Sequence, residues 1–180
     1  MGSQQEFKKV KLFCGLIYGS HDVYMDIVGK LQLEFSKVDF ESQQFDFDFT
    51  TYYNEEMGSP LYRRFISFDR LITPDRLPDI KLITNRLETA NAVDGKRVVN
   101  LDPGYLSDAN VIIATTKNHY HRVPLAHGIY AHMEYVLKKK KPVPLEWTYP
   151  DFRSPQYMAF FEQLLPIYRL NLKDEQDLKD

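Results

Sequence analysis

The stretch "KVKLFCGLIYGS", residues 9–20, sets the beginning of the fold. It is almost continuously apolar and closes with Gly and Ser, a pattern that predicts a β-strand from about Lys9 to Tyr18. Ser20 or Asp22 then supplies the N-cap of a helix. The chain is therefore expected to open with a strand that leads directly into a helix.

The predicted helix has one apolar face. Its apolar side chains recur every four positions as far as about Phe35, and they are Val23, Ile27, Leu31 and Phe35. A second strand is expected near Val38. This spacing predicts a helix that packs on the sheet through one stripe.

The next segments continue the alternation of strands and helices. "FDFDF", residues 45–49, places its three Phe on one face, and residues 62–68 form another predicted strand. Thr73-Pro74-Asp75 begins a second helix. A hairpin at about 119–137 and a last helix from about Pro155 follow.

This order predicts a single α+β domain over residues 1–180, with loosely ordered tails at about 1–8 and 172–180. We expect a mainly antiparallel sheet with helices packed on it. The N-terminal half has the strand and helix order of a ferredoxin-like unit, and a hairpin plus a helix complete the C-terminal part.

The segment "NLDPGYLSDAN", residues 100–110, has the composition of a turn. Asp102, Pro103 and Gly104 stand in the order typical of a type II turn, and Ser107 or Asp108 is then expected to cap a short helix. A helix start can hold an anion, but the charge of Asp108 opposes this. We therefore predict a plain turn, with Tyr105 beside it as a ligand-binding candidate.

The composition excludes several classes of protein. Of the 180 residues, 43% are hydrophobic and 14% aromatic, which is enough for a core, and a formal charge of −2 gives no general attraction to nucleic acid. No apolar run reaches the roughly 20 residues that span a bilayer. With one cysteine, Cys14, the sequence favours a cytosolic protein without disulfides or a membrane anchor.

Several long strings together resemble a known family. They are "FDFDFTTYY", "RRFISFDRLI", "NLDPGYL", "ATTKNHYHR", "GIYAH" and "LEWTYPDFRS", spread from residue 45 to residue 154. On these strings the chain resembles DUF4416, an uncharacterised prokaryotic family. The resemblance implies no established activity. Some members carry a GTP-binding label, but this sequence has no Gly-x-x-x-x-Gly-Lys-Ser/Thr loop to hold phosphates, which argues against a P-loop GTPase.

Histidines are concentrated in the predicted hairpin. Four of the five lie between residues 119 and 132. If His127 and Gly128 form a two-residue turn, Val123 pairs with His132 and residue 121 pairs with residue 134. One face of the hairpin then carries His121, His132 and Glu134, the ligand set of several iron and zinc sites. A polar, solvent-facing hairpin is the competing interpretation, and no cofactor other than such a divalent metal is indicated.

The same region can hold an anion without a metal. Lys117, His119, His121 and Arg122 form a short basic cluster suited to a phosphate or carboxylate, and His121 can transfer a proton near neutral pH. Downstream, the aromatic and proline-rich residues 144–155 form either a lid on the core or a pocket wall that presents Glu146.

These observations lead to three hypotheses. The first is a protein that binds an anionic small molecule, a nucleotide or a sugar phosphate, near residues 102–134, with His121 as acid or base if there is chemistry. The second is a metal-dependent enzyme, and the third is a protein-interaction module without enzymatic activity. Whether the chain is an enzyme, and whether it forms a homo-oligomer, stays open at this point.

Overall fold

A single antiparallel sheet organises residues 2–177, which are the residues that the computed structural model describes. The elements are β1 (Val10–Tyr18), α1 (His21–Glu34), β2 (Val38–Glu41), β3 (Phe45–Asp46), α2 (Asn54–Met57), β4 (Tyr62–Ile72), α3 (Leu77–Ala90), β5 (Val99–Leu106), β6 (Asn110–Thr115), β7 (Val123–Pro124), β8 (Tyr130–Lys138), β9 (Lys141–Pro144) and α4 (Pro155–Asp177). The strand order is β2-β4-β1-β5-β6-β8-β7, with β3 also on β4 and β9 also on β8.

The predicted first strand and first helix are both confirmed. Every residue of β1 is buried, because β4 and β5 flank it and helices cover both faces of the sheet. The hydroxyl of Ser20 caps α1 and accepts a hydrogen bond from the amide of Val23 at 3.4 Å. Ile27 and Leu31 of the predicted stripe are buried on the sheet.

The helices form two layers, one on each face of the sheet. Helices α1 and α3 pack on one face around Leu12 and Leu16 of β1, and α4 packs on the other face around Phe13. Helix α4 continues through Pro166 to Asp177. The chain is thus a single α+β domain with a mainly antiparallel sheet, and residues 178–180 of the predicted C-terminal tail lie outside the described residues.

The predicted turn at Asp102-Pro103-Gly104-Tyr105 is wrong, because these residues lie inside β5. The two strands on either side of β5, β1 and β6, explain the difference. β1 pairs with the whole length of β5, and at Gly104 a Cβ atom would lie 2.4 Å from the carbonyl oxygen of Ile112 and 2.6 Å from the Phe13 ring. The glycine is therefore required by the close approach of two strands and of a core side chain.

The short helix expected after this segment is also wrong. Ser107 begins a tight turn instead, and its hydroxyl accepts hydrogen bonds from the amides of Ala109 and Asn110 at 3.1 and 3.0 Å. The serine thus caps a turn between β5 and β6 in the way that it would cap a helix.

The predicted register of the histidine hairpin is wrong by one residue. His127 and Gly128 do form the turn, with φ of 55° and 73°. However, the amide of Leu125 donates to the carbonyl of Ile129, and the amide of Ile129 donates to the carbonyl of Ala126. Two residues of the first strand, Leu125 and Ala126, therefore lie opposite one residue, Ile129. This bulge shifts the ladder, and Val123 pairs with Ala131 instead of His132.

None of the helices in residues 2–177 is long and apolar enough to cross a membrane.

Candidate functional site

A cleft opens where strands β5 and β6 separate. Their ladder ends at the pair Gly104 and Ile113, and the next residue of β5 is Pro103. The amide of Leu101, two residues earlier, points away from β1 and donates to Glu88 of α3. Because amide directions repeat every two residues along a strand, the backbone nitrogen of Pro103 also lies on the side away from β1, which is the β6 side. Proline has no N–H to offer there, which ends the pairing. Beyond this point lies a cavity of about 460 Å³, within the usual size range of small-molecule sites.

Two charged side chains of α3 take the place of the missing strand. Lys81 Nζ donates to the carbonyl oxygen of Leu101 at 2.7 Å, and Glu88 Oε1 accepts from the Leu101 amide at 2.6 Å. Both side chains are buried and line the cleft. They satisfy the free edge of β5 and bring one cation and one carboxylate into the cavity wall.

The floor of the cleft is a buried arginine between two carboxylates. Arg63 of β4 is only 1% exposed, and its Nη1 lies 2.8 Å from Asp102 Oδ2 while its Nη2 lies 3.7 Å from Asp151 Oδ2. A Cβ atom on Gly15 would lie 3.2 Å from the guanidinium carbon, so this glycine makes room for the arginine. Phe65 and Phe152 lie against the guanidinium.

Asp102 and Asp151 are in different electrostatic surroundings. Burial alone would raise the pKa of Asp102, but Arg63 and Lys81 outweigh burial and hold this pKa below its usual value. Burial raises the pKa of Asp151, because Arg63 compensates only in part and Asp102 adds repulsion. The cleft thus combines a carboxylate that stays ionised with a carboxyl group that binds a proton more readily.

A second arginine fixes the side of the cleft. Arg97 forms hydrogen bonds of 2.7 to 3.0 Å with both carboxylate oxygens of Glu56, and its Nη1 donates to Asn100 Oδ1 at 3.1 Å. Hydrogen bonds from Arg97 lower the pKa of Glu56. This two-pronged ion pair ties α2, next to the aromatic segment 47–53, to the start of β5.

The rim of the cleft is aromatic on one side and basic on the other. Phe47, Phe49, Tyr52 and Tyr53 line one wall, and the ammonium group of Lys117 lies 4.8 Å from the centre of the Tyr52 ring. Of the cationic side chains that line the cleft, Lys81 and Lys117 have no carboxylate oxygen within 4.0 Å in residues 2–177. Lys81 still interacts at longer range with Asp102 and Glu88, so Lys117 is the less neutralised of these two ammonium groups.

Among the residues predicted from sequence, Lys117 lies in this cleft and Arg122 lies directly behind it. The Arg122 guanidinium donates to the carbonyl of Lys117 at 2.7 Å, to the hydroxyl of Tyr149 at 2.6 Å and to His132 Nδ1 at 3.0 Å. With these three bonds Arg122 holds Lys117 and the Tyr149 wall in place, and its guanidinium is occupied within the protein.

The histidines form a separate group behind Tyr149. In what we call the histidine cluster, His119 Nδ1 lies 3.1 Å from His121 Nδ1, and His121 Nε2 lies 3.1 Å from His132 Nδ1. The cluster also includes Arg122 and Glu134. His121 stacks on Trp147 and His132 stacks on Tyr149. None of these histidines lines the cleft.

Hydrogen bonding sets the proton positions in this cluster. Because the Arg122 Nε–H donates to His132 Nδ1, that nitrogen is an acceptor and the neutral ring carries its proton on Nε2. Burial, with a contribution from Arg122, lowers the pKa of His132 to about 4. His132 Nε2 lies 3.2 Å from Glu134 Oε1 without the alignment of a hydrogen bond. The pKa of the buried Glu134 is raised well above its usual value by burial.

The metal hypothesis for His121, His132 and Glu134 gains no support from this arrangement. His132 faces His121 with one ring nitrogen and Glu134 with the other, so the three side chains do not converge on one point. In the described residues no group of three or more His, Cys, Asp or Glu side chains has the geometry to hold a metal ion. The metal site therefore stays a prediction.

Two other predicted ligand residues lie away from the cleft. Tyr105 packs on the α3 side of the sheet, where burial raises its pKa, and Glu146 is exposed in the segment after β9. The sequence reasoning missed Arg63, Lys81, Asp102 and Asp151 as members of one site. A usable signal was present, because Asn100 and Asp102 are polar positions on one face of an otherwise apolar strand.

Comparison with known proteins identifies a family. The chain matches the family described as Domain of unknown function (DUF4416) over residues 8–168. No curated protein and no solved structure gave a match. The matched span contains the cleft, the histidine cluster and most of α4. The chain belongs to the DUF4416 family.

Proposed function

We propose that the protein binds a small anionic molecule, a nucleotide or a sugar phosphate, in the cleft between β5 and β6. The observation that carries this proposal is the pair of lysines, Lys81 and Lys117, that face the cavity without a carboxylate partner within 4.0 Å in residues 2–177. Lys81 is buried, and an ammonium group that has lost much of its hydration gains most from an anionic ligand, while the exposed Lys117 can meet that ligand at the rim.

The charge balance of the cleft supports the same conclusion. Four cations line it, namely Arg63, Lys81, Arg97 and Lys117, and four carboxyl groups lie against them, namely Glu88, Asp102 and Asp151 in the lining and Glu56 on Arg97. Burial raises the pKa of both Glu88 and Asp151, which favours their neutral forms. Protonation of either carboxyl group therefore leaves the cavity with an excess of positive charge, although the whole chain has a formal charge of −2.

The rim lysine is held in place before any ligand arrives. The Lys117 amide donates to the Thr115 hydroxyl at 3.2 Å, and its carbonyl accepts from Arg122 at 2.7 Å. A fixed backbone lowers the entropy that binding would otherwise cost. This supports a binding role for Lys117 and a positioning role for Arg122.

The proposal assigns no reaction. His121, the acid or base predicted from sequence, stacks on Trp147 and does not line the cleft, and burial together with its histidine neighbours lowers its pKa. Its catalytic role stays a hypothesis. A binding function needs only the cleft.

A thermal-shift experiment tests the binding proposal. The protein is heated with inorganic phosphate, AMP, GTP and a set of hexose and pentose phosphates, with and without a chelator. A ligand at 100 times its dissociation constant adds about 2.7 kcal/mol of stability. We expect at least one compound to raise the melting temperature, and Lys117→Ala to remove the rise.

The matched control is Lys37→Ala, which removes an exposed lysine just before β2, at the opposite edge of the sheet. It should leave the ligand effect unchanged. An equal loss of the ligand effect in both variants would mean that only general charge attraction is involved. No stabilisation by any compound would contradict the proposal.

We also propose that the N-terminal half is ferredoxin-like. The strand order β2-β4-β1-β5 and the position of α1 and α3 on one face support this. An experimental structure with another strand order would contradict it.

A further inference from the structure

The two ends of the cleft offer a ligand different chemistry. At the rim, Lys117 offers a cation and Thr115 a hydroxyl group. At the floor, carboxylates and amides face the cavity beside the ammonium group of Lys81, which donates to the Leu101 carbonyl, and the guanidinium of Arg63 is already engaged by Asp102 and Asp151. A ligand that fits both ends carries an anionic group at one end and hydrogen-bond donors at the other.

Asp102 keeps one oxygen free for such a donor. Both of its protein hydrogen bonds go to Oδ2, from Arg63 Nη1 at 2.8 Å and from Asn100 Nδ2 at 3.0 Å. In residues 2–177 no hydrogen bond reaches Oδ1, and the side chain is 24% exposed. Its carboxylate is thus held at a fixed angle by one oxygen and presents the other to the cleft.

Asp151 and Asn85 extend the accepting surface. Asp151 is 8% exposed, and its nearest cation, Arg63 Nη2, is 3.7 Å away, farther than a hydrogen bond. Asn85 lies on α3 between Lys81 and Glu88, lines the cavity and forms no side-chain hydrogen bond in the described residues. Together with Asp102 these groups suit several hydroxyl donors placed close to one another.

The aromatic wall does not form a slot for a nucleobase. Tyr53 meets the ring of Phe47 at 62° and that of Tyr52 at 90°, so these rings pack edge to face against one another. A base can therefore stack on only one of these rings, whereas two parallel rings would cover both of its faces. The C–H face of a sugar ring needs only one apolar surface, which Phe49 and Tyr53 provide at the rim.

From this arrangement we infer that the ligand of the cleft is a sugar phosphate, with its hydroxyl groups on Asp102 Oδ1, Asp151 and Asn85 and its phosphate at Lys117. The inference rests on the proposed function and narrows it to one class of anion. Buried acceptors built for hydroxyl groups discriminate strongly against ligands that lack them, because the acceptors then stay unpaired.

Isothermal titration calorimetry with four kinds of probe tests the inference. The probes are hexose 6-phosphates and pentose 5-phosphates, the same sugars without phosphate, AMP, and inorganic phosphate. We expect at least one sugar phosphate to bind at least tenfold more tightly than AMP and inorganic phosphate. Free sugars should bind more weakly than their phosphates, because they lose the contact with Lys117.

Three variants separate the two ends of the ligand. Asn85→Ala removes a half-buried amide from the middle of a helix, where Ala is favourable, and should weaken sugar phosphate binding several-fold without changing inorganic phosphate binding. Asp102→Asn should do the same if it folds, and circular dichroism checks that it does. Lys117→Ala should weaken the binding of both the sugar phosphate and inorganic phosphate.

The outcomes distinguish the inference from the proposed function. If AMP binds as tightly as every sugar phosphate, the sugar assignment is overturned while anion binding stands. The same holds if Asn85→Ala weakens the binding of inorganic phosphate as much as the binding of the sugar phosphate. If no phosphorylated probe binds, both are overturned. Selective loss of sugar phosphate binding in Asn85→Ala supports the inference.

Discussion

The cleft and the histidine cluster differ in what their polar atoms are bonded to. In the histidine cluster, His121 contacts two other imidazoles and Arg122 donates to three protein acceptors. In the cleft, Asp102 Oδ1 has no hydrogen bond from residues 2–177, and the two lysines have no carboxylate within 4.0 Å in the same residues. Apart from His132 Nε2 and Glu134 Oε1, the polar atoms that join the cluster bond to one another, whereas the cleft keeps groups available for a ligand.

This difference teaches that a dense group of reactive residues in the sequence is not by itself a site. The four histidines between residues 119 and 132 are conspicuous along the chain, but three of them pack together behind the Tyr149 wall of the cleft and His127 lies in the hairpin turn. The groups around the cavity come from β4, β5, α3 and the segment after β9, which are far apart in sequence. The predictions below test the two regions against each other.

The largest effect is expected at the cleft floor. Arg63→Met leaves Asp102 and Asp151 without their cation in a largely buried site, and breaking such a pair costs about 3–5 kcal/mol of unfolding free energy. Urea denaturation measures this loss. Arg70→Met, a change at an exposed arginine of the same strand, should cost less than about 0.5 kcal/mol. Equal values for the two variants would contradict the role of Arg63.

A substitution at Gly104 tests how closely β5, the strand that carries Asp102, approaches β6. Because a Cβ atom would lie 2.4 Å from a backbone oxygen, Gly104→Ala should destabilise by about 3 kcal/mol. Gly29→Ala is the matched control, since no atom lies within 4 Å of the added carbon, and a stabilisation of about 0.5–1 kcal/mol is expected in the helix. If Gly104→Ala were neutral, β5 and β6 would not approach each other as closely as described.

The histidine cluster should make stability depend on pH. His132 has a pKa of about 4 when folded, against 6.5 for an unperturbed histidine, so only the unfolded chain takes up this proton between these values. Stability therefore falls as the pH drops below 6.5, by about 2 kcal/mol at pH 5, and this loss ends near pH 4. Glu134, whose pKa is raised, contributes in the opposite direction as the pH rises.

Urea denaturation between pH 7 and pH 5 isolates this contribution. The loss of stability over that range should be smaller by about 2 kcal/mol in His132→Gln than in the unmodified protein. His21→Gln, a change at an exposed histidine at the start of α1, is the matched control. The same dependence in all three proteins would show that His132 is not held neutral.

The smallest effect on stability is expected at Lys117, the lysine proposed to bind the ligand. Lys117 is exposed and its side chain contacts one tyrosine ring, so Lys117→Ala should change the unfolding free energy by less than about 0.5 kcal/mol. Arg122→Ala, five residues later, should cost about 1–3 kcal/mol, since three acceptors lose their donor. A costly Lys117→Ala with a neutral Arg122→Ala would reverse the assigned roles.

Local patterns in the sequence were sufficient for the first strand, its helix and the family. The apolar run of β1 and the cap at Ser20 depend on neighbouring residues only. The segment of Pro103 and Gly104 misled, because turn-forming residues also serve where a strand loses a partner and two backbones touch. The neighbours that require these residues are β1, β6 and Phe13, and the segment alone does not reveal that they lie beside it.

The candidate site was predictable only in part. Lys117 was identified, because it belongs to the basic segment that follows β6. The register of the histidine hairpin failed through one bulge at Leu125 and Ala126, which the turn residues do not signal. Arg63 and Lys81 reach the cleft through the pairing of distant strands and the packing of α3, so only the fold reveals them.

An NMR titration of the ¹⁵N-labelled protein with inorganic phosphate tests the central claim most directly. We expect amide shifts that saturate with phosphate concentration and are centred on Thr115, Thr116 and Lys117, and we expect them to vanish in Lys117→Ala but to persist in Lys37→Ala. Shifts centred on His119 to His121, or no saturable shift anywhere, would contradict the claim that the cleft binds an anion.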